Sequence, residues 1–395
     1  MRTLVGKYEG KLLRDRSAQP GRIGIAAADD AVIEAGAADL SGLAAGVLSR
    51  LHCLGVVAAA PSLPFADFLV RRAPADASRL VPLDTETRTF LHDIPFSRRG
   101  ETGGDPAGTA AALLGKRKGA ILEGVGIVAA GPVTLEQAYI IYSCVFHATY
   151  VQYLADVLRD GFLLPGEEEA FRRFRKELPP PLSADGLAFR TGPIEDPDEI
   201  RDEIRKVGKY VVERGLVDSS FGNISFKAGS TIHISQTGAP LDELAGCIDP
   251  VPDDDGSTAG ITASSELSAH RGIYEATGAR AILHGHPKFA VAMSMLCDEK
   301  DCAVEDCWKD CPRVRMLGGA PVVAGEIGAG GLAARVASVI GDSGKAVVYG
   351  HGVFTVGRNG FEEAFRAMAE AENLCRDEYF RRVGKHPGPD QSKSE

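Results

Sequence analysis

Ala281-Ile282-Leu283-His284-Gly285-His286-Pro287 ends an apolar run with two histidines one residue apart. Side chains alternate faces along a strand, so His284 and His286 point the same way, as a metal pair requires. A third histidine closes a second apolar run, Ala346-Val347-Val348-Tyr349-Gly350-His351-Gly352. A carboxylate, Glu266, lies upstream in Thr262-Ala263-Ser264-Ser265-Glu266. Three imidazoles and a carboxylate suit a tetrahedral divalent ion, and a carboxylate that can leave opens a coordination position for chemistry.

Working outward, the chain contains itself twice. Lys118 to Gly131 reads strand, glycine turn, strand, as does Lys345 to Gly357, and each is followed by a helical run, Thr134-Leu135-Glu136-Gln137-Ala138 and Gly360-Phe361-Glu362-Glu363-Ala364. Upstream, Gly55-Val56-Val57-Ala58-Ala59-Ala60-Pro61 parallels Ala281 to Pro287. A repeat of this kind predicts one architecture used twice. The copies differ where the chemistry sits: Ala58 stands for His284, Ala60 for His286 and Val125 for His351. The first copy keeps the apolar framework and lacks every imidazole.

Lys176-Glu177-Leu178-Pro179-Pro180-Pro181 marks the boundary, because consecutive prolines end a helix and stiffen the chain. The expected organisation is a degenerate α/β domain over 1–178, a Pro-rich linker over 179–195, a catalytic domain over 196–383 and a disordered tail over 384–395. The 395 residues can bury sizeable cores. The formal charge of −10 favours neither nucleic acid nor an anionic membrane as partner. No apolar run reaches membrane-spanning length, the first residues lack a secretory apolar core, and a cytoplasmic address with reduced cysteines is the expectation.

In the second half, Asp196-Pro197 opens a helix, the aspartate as N-cap and the proline in the first turn, with Ile200, Ile204, Val207, Val211 and Val212 on one face. The loop Ser219-Ser220-Phe221-Gly222-Asn223-Ile224-Ser225 offers backbone N–H groups to an anion. Ser264-Ser265 stands at a helix start, where N–H groups favour a phosphate or carboxylate. His270, four residues past Glu266, shares its helix face and supports the site or the core. His92 and His233 read as structural, and Cys53, Cys144, Cys247 and Cys375 as buried small apolar residues.

Gly222-Asn223-Ile224-Ser225, Ser235-Gln236-Thr237-Gly238, Ser264-Ser265-Glu266 followed by His270, His284-Gly285-His286 and Gly350-His351-Gly352 resemble, in order and spacing, the class II aldolase/adducin family. The resemblance covers Asp196 to Arg382, and the first half as a degenerate copy. It implies a three-layer α/β/α domain with a largely antiparallel central sheet. It implies a divalent metal, commonly zinc but also Mn2+, Fe2+ or Co2+, held by His284, His286 and His351, with Glu266 as the acid/base that also binds the metal when substrate is absent. It assigns Ser220, Asn223, Thr237, Gly238, Ser264 and Ser265 to a substrate-phosphate pocket. Gln236 and Ala263 depart from the family, which often has proline at both places. Members often complete the site with a tyrosine from the C-terminal segment or a neighbouring subunit, and Tyr379 is the candidate by position.

The reaction class that follows is a metal-dependent lyase, an aldolase cleaving a carbon–carbon bond of a phosphorylated sugar or related hydroxy-carbonyl compound through an enediolate. Epimerases and dehydratases of the family use the same site, and a non-catalytic adducin-like scaffold is a reading from another class. Family enzymes are cyclic tetramers, so two tandem chains would form a homodimer as a pseudo-tetramer of four domains. Outside the family pattern, Cys297, Cys302, Cys307 and Cys311-Pro312 are spaced C-x4-C-x4-C-x3-C-P, a set of thiols suited to structural zinc or an iron–sulfur cluster.

Overall fold

The structure is a computed structural model that describes residues 1–218, 220–254, 256–299, 302–325 and 329–385. The tail beyond Lys385 and Ser219 of the anion loop lie outside the described residues. The chain divides into two compact units that meet in sequence at Leu178 and Pro179.

The first unit contains strands β1 (Ala18–Ala28), β2 (Val32–Gly36), β3 (Gly55–Pro61), β4 (Arg79–Leu80), β5 (Ile94–Ser97), β6 (Gly119–Leu122) and β7 (Gly126–Gly131). Its helices are α1 (Arg2–Arg14), α2 (Ala38–Leu48), α3 (Phe65–Arg72), α4 (Thr85–Leu91), α5 (Pro106–Leu114), α6 (Leu135–Asp160) and α7 (Glu167–Glu177). The second contains β8 (Asn223–Ala228), β9 (Thr231–Ser235), β10 (Ile248–Pro252), β11 (Ala281–Gly285), β12 (Arg315–Leu317), β13 (Ala320–Val323), β14 (Lys345–Val348) and β15 (Gly352–Gly357). Its helices are α8 (Pro197–Glu213), α9 (Leu267–Thr277), α10 (Lys288–Ser294), α11 (Cys307–Asp310), α12 (Ala329–Ser343) and α13 (Phe361–Val383).

The sheets have one topology. The first runs β2-β1-β3-β7-β6-β5-β4 and the second β10-β9-β8-β11-β15-β14-β13-β12, the same order with one extra edge strand. Every pairing is antiparallel except β5 with β6 and its counterpart β13 with β14. Across β3, β5, β6 and β7 the counterparts keep one offset of 226 residues: Ala281 against Gly55, Gly357 against Gly131, Val322 against Phe96. The α/β architecture is present twice, and the pairs Ala58/His284 and Val125/His351 share that offset.

Period-two alternation builds the layers of the second unit. Ala281 and Leu283 of β11 pack on one face with α8 and α13, while Ile282 packs on the other with α9 and α12. His284 has the parity of Ile282 and therefore faces α9. Helix α8 starts where the Asp196 carboxylate accepts from the N–H groups of Asp198 and Glu199, and its apolar stripe from Ile200 to Val212 is buried.

The segment 179–195, expected as a Pro-rich linker, packs on the second unit. Ala184 and Ile194 are buried in the core of the second unit, with Leu182, Leu187 and Phe189 packed against it. Asn373 of α13 closes a two-way bond to the backbone of Leu182, 2.8 Å in each direction. The prolines stiffen the chain, but the apolar residues after them find a surface and dock. Cys144 and Cys375 are buried as expected, whereas Cys53 and Cys247 are half-exposed.

Candidate metal centre

Antiparallel pairing puts the start of β8, the end of β11 and the start of β15 at the same edge of the sheet. Asn223 is the first residue of β8, His284 and His286 close and follow β11, and His351 lies in the turn before β15. Helix α9 reaches the same edge with its N-cap, Glu266. The nitrogens of His284, His286 and His351 lie within 4.8 Å of one another. His284 Nε2 is 3.0 Å from His286 Nε2 and 3.4 Å from Glu266 Oε2, and His351 Nε2 is 3.0 Å from Glu266 Oε1.

The rings are held rigidly. His284 stacks on Phe354 at 4.0 Å between centroids and His286 on Phe221 at 5.5 Å. His284 Nδ1–H donates to the carbonyl of Val353 at 3.2 Å, which leaves its Nε2 lone pair facing the cluster. Burial pushes the His284 imidazole down to about 4, and the Glu266 charge opposes this only in part, so the ring is neutral near pH 7. Burial resists the Glu266 charge, but hydrogen bonds from His351 and from the Asn223 amide favour the carboxylate and hold it below its usual range. Neutral imidazoles and an ionised carboxylate are the protonation states that ligate a divalent cation, so the donor set fits the metal.

Two further groups position this edge. A Cβ on Gly352 would lie 2.7 Å from His286 Cδ2 and 2.8 Å from His284 Cε1, so the turn admits only glycine beside the two rings. Buried Glu372 of α13 accepts the N–H groups of Phe289 and Ala290 at 3.0 and 2.8 Å, capping the helix that begins just past His286. The Glu372 pairing is not legible in the sequence, because it spans 83 residues.

The residues expected to hold phosphate fall into two groups. Gln236 bridges Ala263, Thr237 N–H donates to the Thr262 carbonyl and Ser264 N–H to the Ser235 carbonyl, so the Thr237-Gly238 turn and the Ser264-Ser265 segment lie side by side. Thr237, Gly238 and Ser265 are exposed, while Ser264 is buried and accepts from Glu266 N–H. Ser220 is half-exposed on the loop leading to β8. Asn223, in contrast, is buried and its amide donates to Glu266 Oε2 at 2.6 Å: its side chain serves the carboxylate. Lys288, two residues past His286, pairs with Asp218 at 2.8 Å, which ties a cation to the base of the Ser220 loop.

Tyr379 is the candidate by position to complete the site. It is fully buried in α13, edge-on to Phe289 at 5.3 Å and to Phe380. The four cysteines occupy a segment with little core of its own: Cys297 and Cys302 are exposed, Cys307 and Cys311 half-exposed. Burial, then the neighbouring Cys311, Cys302 and Cys297 thiols, raise the Cys307 thiol. Among the described residues the histidine trio is the group with three donors in metal-ligating range.

Residues 202–379 match the sequence profile of the Class II Aldolase and Adducin N-terminal domain. Among solved structures, the chain is similar to the l-fuculose-1-phosphate aldolase from Thermus thermophilus, with 25% identity over 49% of this chain and 99% of that one and a TM-score of 0.40. It is also similar to YgbL of Escherichia coli, described as a putative aldolase/epimerase/decarboxylase, with 23% identity over 48% and 91% of the two chains and a TM-score of 0.39. No curated protein matches. With the ordered motifs, the sheet order and the histidine cluster in place, the second unit of this chain belongs to the class II aldolase and adducin family.

Proposed function

We propose that the second unit is a divalent-metal-dependent lyase that cleaves a carbon–carbon bond in a phosphorylated hydroxy-carbonyl compound. The observation that carries this reading is the convergence of three imidazoles, two of them buried, beside a carboxylate kept ionised by its partners. His284, His286 and His351 would hold the ion, zinc first, with Glu266 beside it. When bound, such an ion supplies Lewis-acid polarisation of a carbonyl. The protein's own groups do the rest. Glu266 takes and returns the proton at carbon beside that carbonyl. Thr237, Gly238, Ser264 and Ser265, with Ser220 on the loop before β8, offer donors to a phosphate, and Lys288 supports that loop.

The first unit, with Ala58, Ala60 and Val125 in place of the ligands, suits an assembly role as in a scaffold. A homodimer built as a pseudo-tetramer would use four such folds for two metal sites. We further assign the Cys297, Cys302, Cys307 and Cys311 segment to a thiolate site, structural zinc or iron–sulfur, that forms only as the metal binds. Metal analysis followed by a screen of ketose phosphates for aldehyde release tests the main reading. Loss of water or inversion at carbon without aldehyde would move it to a dehydratase or an epimerase, and a metal-free inert protein would leave only the scaffold.

A further inference from the structure

Behind Glu266 runs a buried chain of hydrogen bonds that the metal site does not itself require. Asn223 Nδ2 donates to Glu266 Oε2 at 2.6 Å. The same side chain's Oδ1 meets His270 Nε2 at 2.5 Å, and His270 Nδ1 meets Ser225 Oγ at 2.6 Å. Ser225 Oγ in turn meets Tyr274 Oη at 2.6 Å. His270 and Ser225 are wholly buried and Tyr274 nearly so.

Each link has only one consistent direction. Asn223 spends its N–H on the carboxylate, so its carbonyl must accept, and His270 must carry the proton on Nε2. A neutral imidazole then accepts at Nδ1. Ser225 gives its proton to that nitrogen, and Tyr274 gives its own to Ser225. The donors run one way from Ser225 through His270 and Asn223 to the carboxylate, and neither the imidazole nor the amide can turn over without leaving a buried group unpaired; Tyr274 ends the chain, its hydroxyl also 3.4 Å from the Arg280 carbonyl.

The first unit provides an internal control. By strand register Gly24 takes the place of Asn223 and Ala26 that of Ser225. Helix α2 passes there with Ser41, whose hydroxyl bonds its own helix at Ala38. A Cβ on Gly24 would lie 2.1 Å from the Leu40 backbone and 2.3 Å from Ser41, so the space is closed. The fold therefore stands without the chain of donors, and the copy that lacks the imidazoles lacks this chain as well.

We infer that His270, through Asn223, is a positioning residue that orients the Glu266 carboxylate, leaving Oε1 toward His351 and the reacting groups. This deepens the proposed function and rests on it only for the activity arm of the test. In histidine-selective 15N spectra of the full-length protein, His270 should show the Nε2–H tautomer with an unprotonated Nδ1. The Asn223 side-chain amide should exchange slowly with solvent, lose that protection in His270→Phe and regain it in His270→Gln, whose amide can still donate to Asn223. Zinc stoichiometry should stay at wild type in both. With a substrate in hand, kcat should fall about 10- to 100-fold in His270→Phe at unchanged KM and recover in His270→Gln. The opposite tautomer in the wild type, or an Asn223 amide indifferent to His270→Phe, overturns the inference; the tautomer decides even if that variant fails to fold. A chain confirmed by these spectra in a protein without turnover would instead retire the lyase reading.

Discussion

Gly352 lies against His286 so closely that a single added methyl would sit 2.7 Å from its Cδ2. The β14–β15 turn and the histidine pair on β11 therefore share one volume, and the turn keeps its place only because one residue has no side chain. Gly352→Ala should weaken zinc binding at least about tenfold, near 1.4 kcal/mol, while the sheet persists. Zinc titration with a competing chelator, beside far-ultraviolet circular dichroism, checks both halves.

One divalent ion per reduced chain is expected at the histidines, and His284→Ala or His286→Ala should remove it without unfolding the protein. A second equivalent would belong to the cysteines. Cobalt substitution separates the two, because thiolate ligation adds charge-transfer absorption that Cys302→Ser with Cys311→Ser should abolish and His284→Ala should not. Full occupancy in both histidine variants would sink the assignment.

Glu266→Gln should keep the ion but lose at least about 100-fold in turnover, since an amide of the same shape cannot exchange a proton. Turnover within a few-fold of wild type would reduce Glu266 to a polar neighbour.

The acid side of the stability curve carries the buried imidazoles. Burial lowers His270 to about 3 and His284 to about 4, whereas an unfolded chain binds those protons near 6.5. The unfolded state thus holds more protons between these values, and stability is full above about pH 6.5 and declines as pH falls toward 3. In His270→Gln, urea unfolding of metal-free protein should show a slope shallower by up to one proton, about 1.4 kcal/mol per pH unit.

A fragment of the second unit should begin at Pro179. One beginning at Asp196 discards Ala184, Ile194 and the Leu182, Leu187 and Phe189 contacts, and burial of each large apolar side chain is worth about 1.5–3 kcal/mol when complete. It should melt well below the longer fragment. If the first unit walls the site in a pseudo-tetramer, the longer fragment folds yet loses activity; full activity as a monomer would disprove that assembly.

Much of this was legible in the chain itself. Apolar runs ending in His284-Gly285-His286 and Gly350-His351-Gly352 are short-range facts, and strand alternation with a near-constant repeat offset carries them to one sheet edge. His270, four residues past Glu266, shares its helix face, which is readable in the sequence; that Tyr274 extends the stripe is seen only in α9. What the sequence left open are the choices made by side chains between distant partners. Asn223 could serve a phosphate or a carboxylate, and only the approach of α9 to β8 commits it to Glu266. Tyr379 is named by position alone in the sequence, and its burial against Phe289 is a choice of the tertiary structure. The prolines after Leu178 announce a break, but whether the next residues float or dock depends on a surface formed by α8 and α13. Sequence determines which donors and apolar faces exist; tertiary structure decides which of the competing partners each one meets, because burial penalises every polar group left without one.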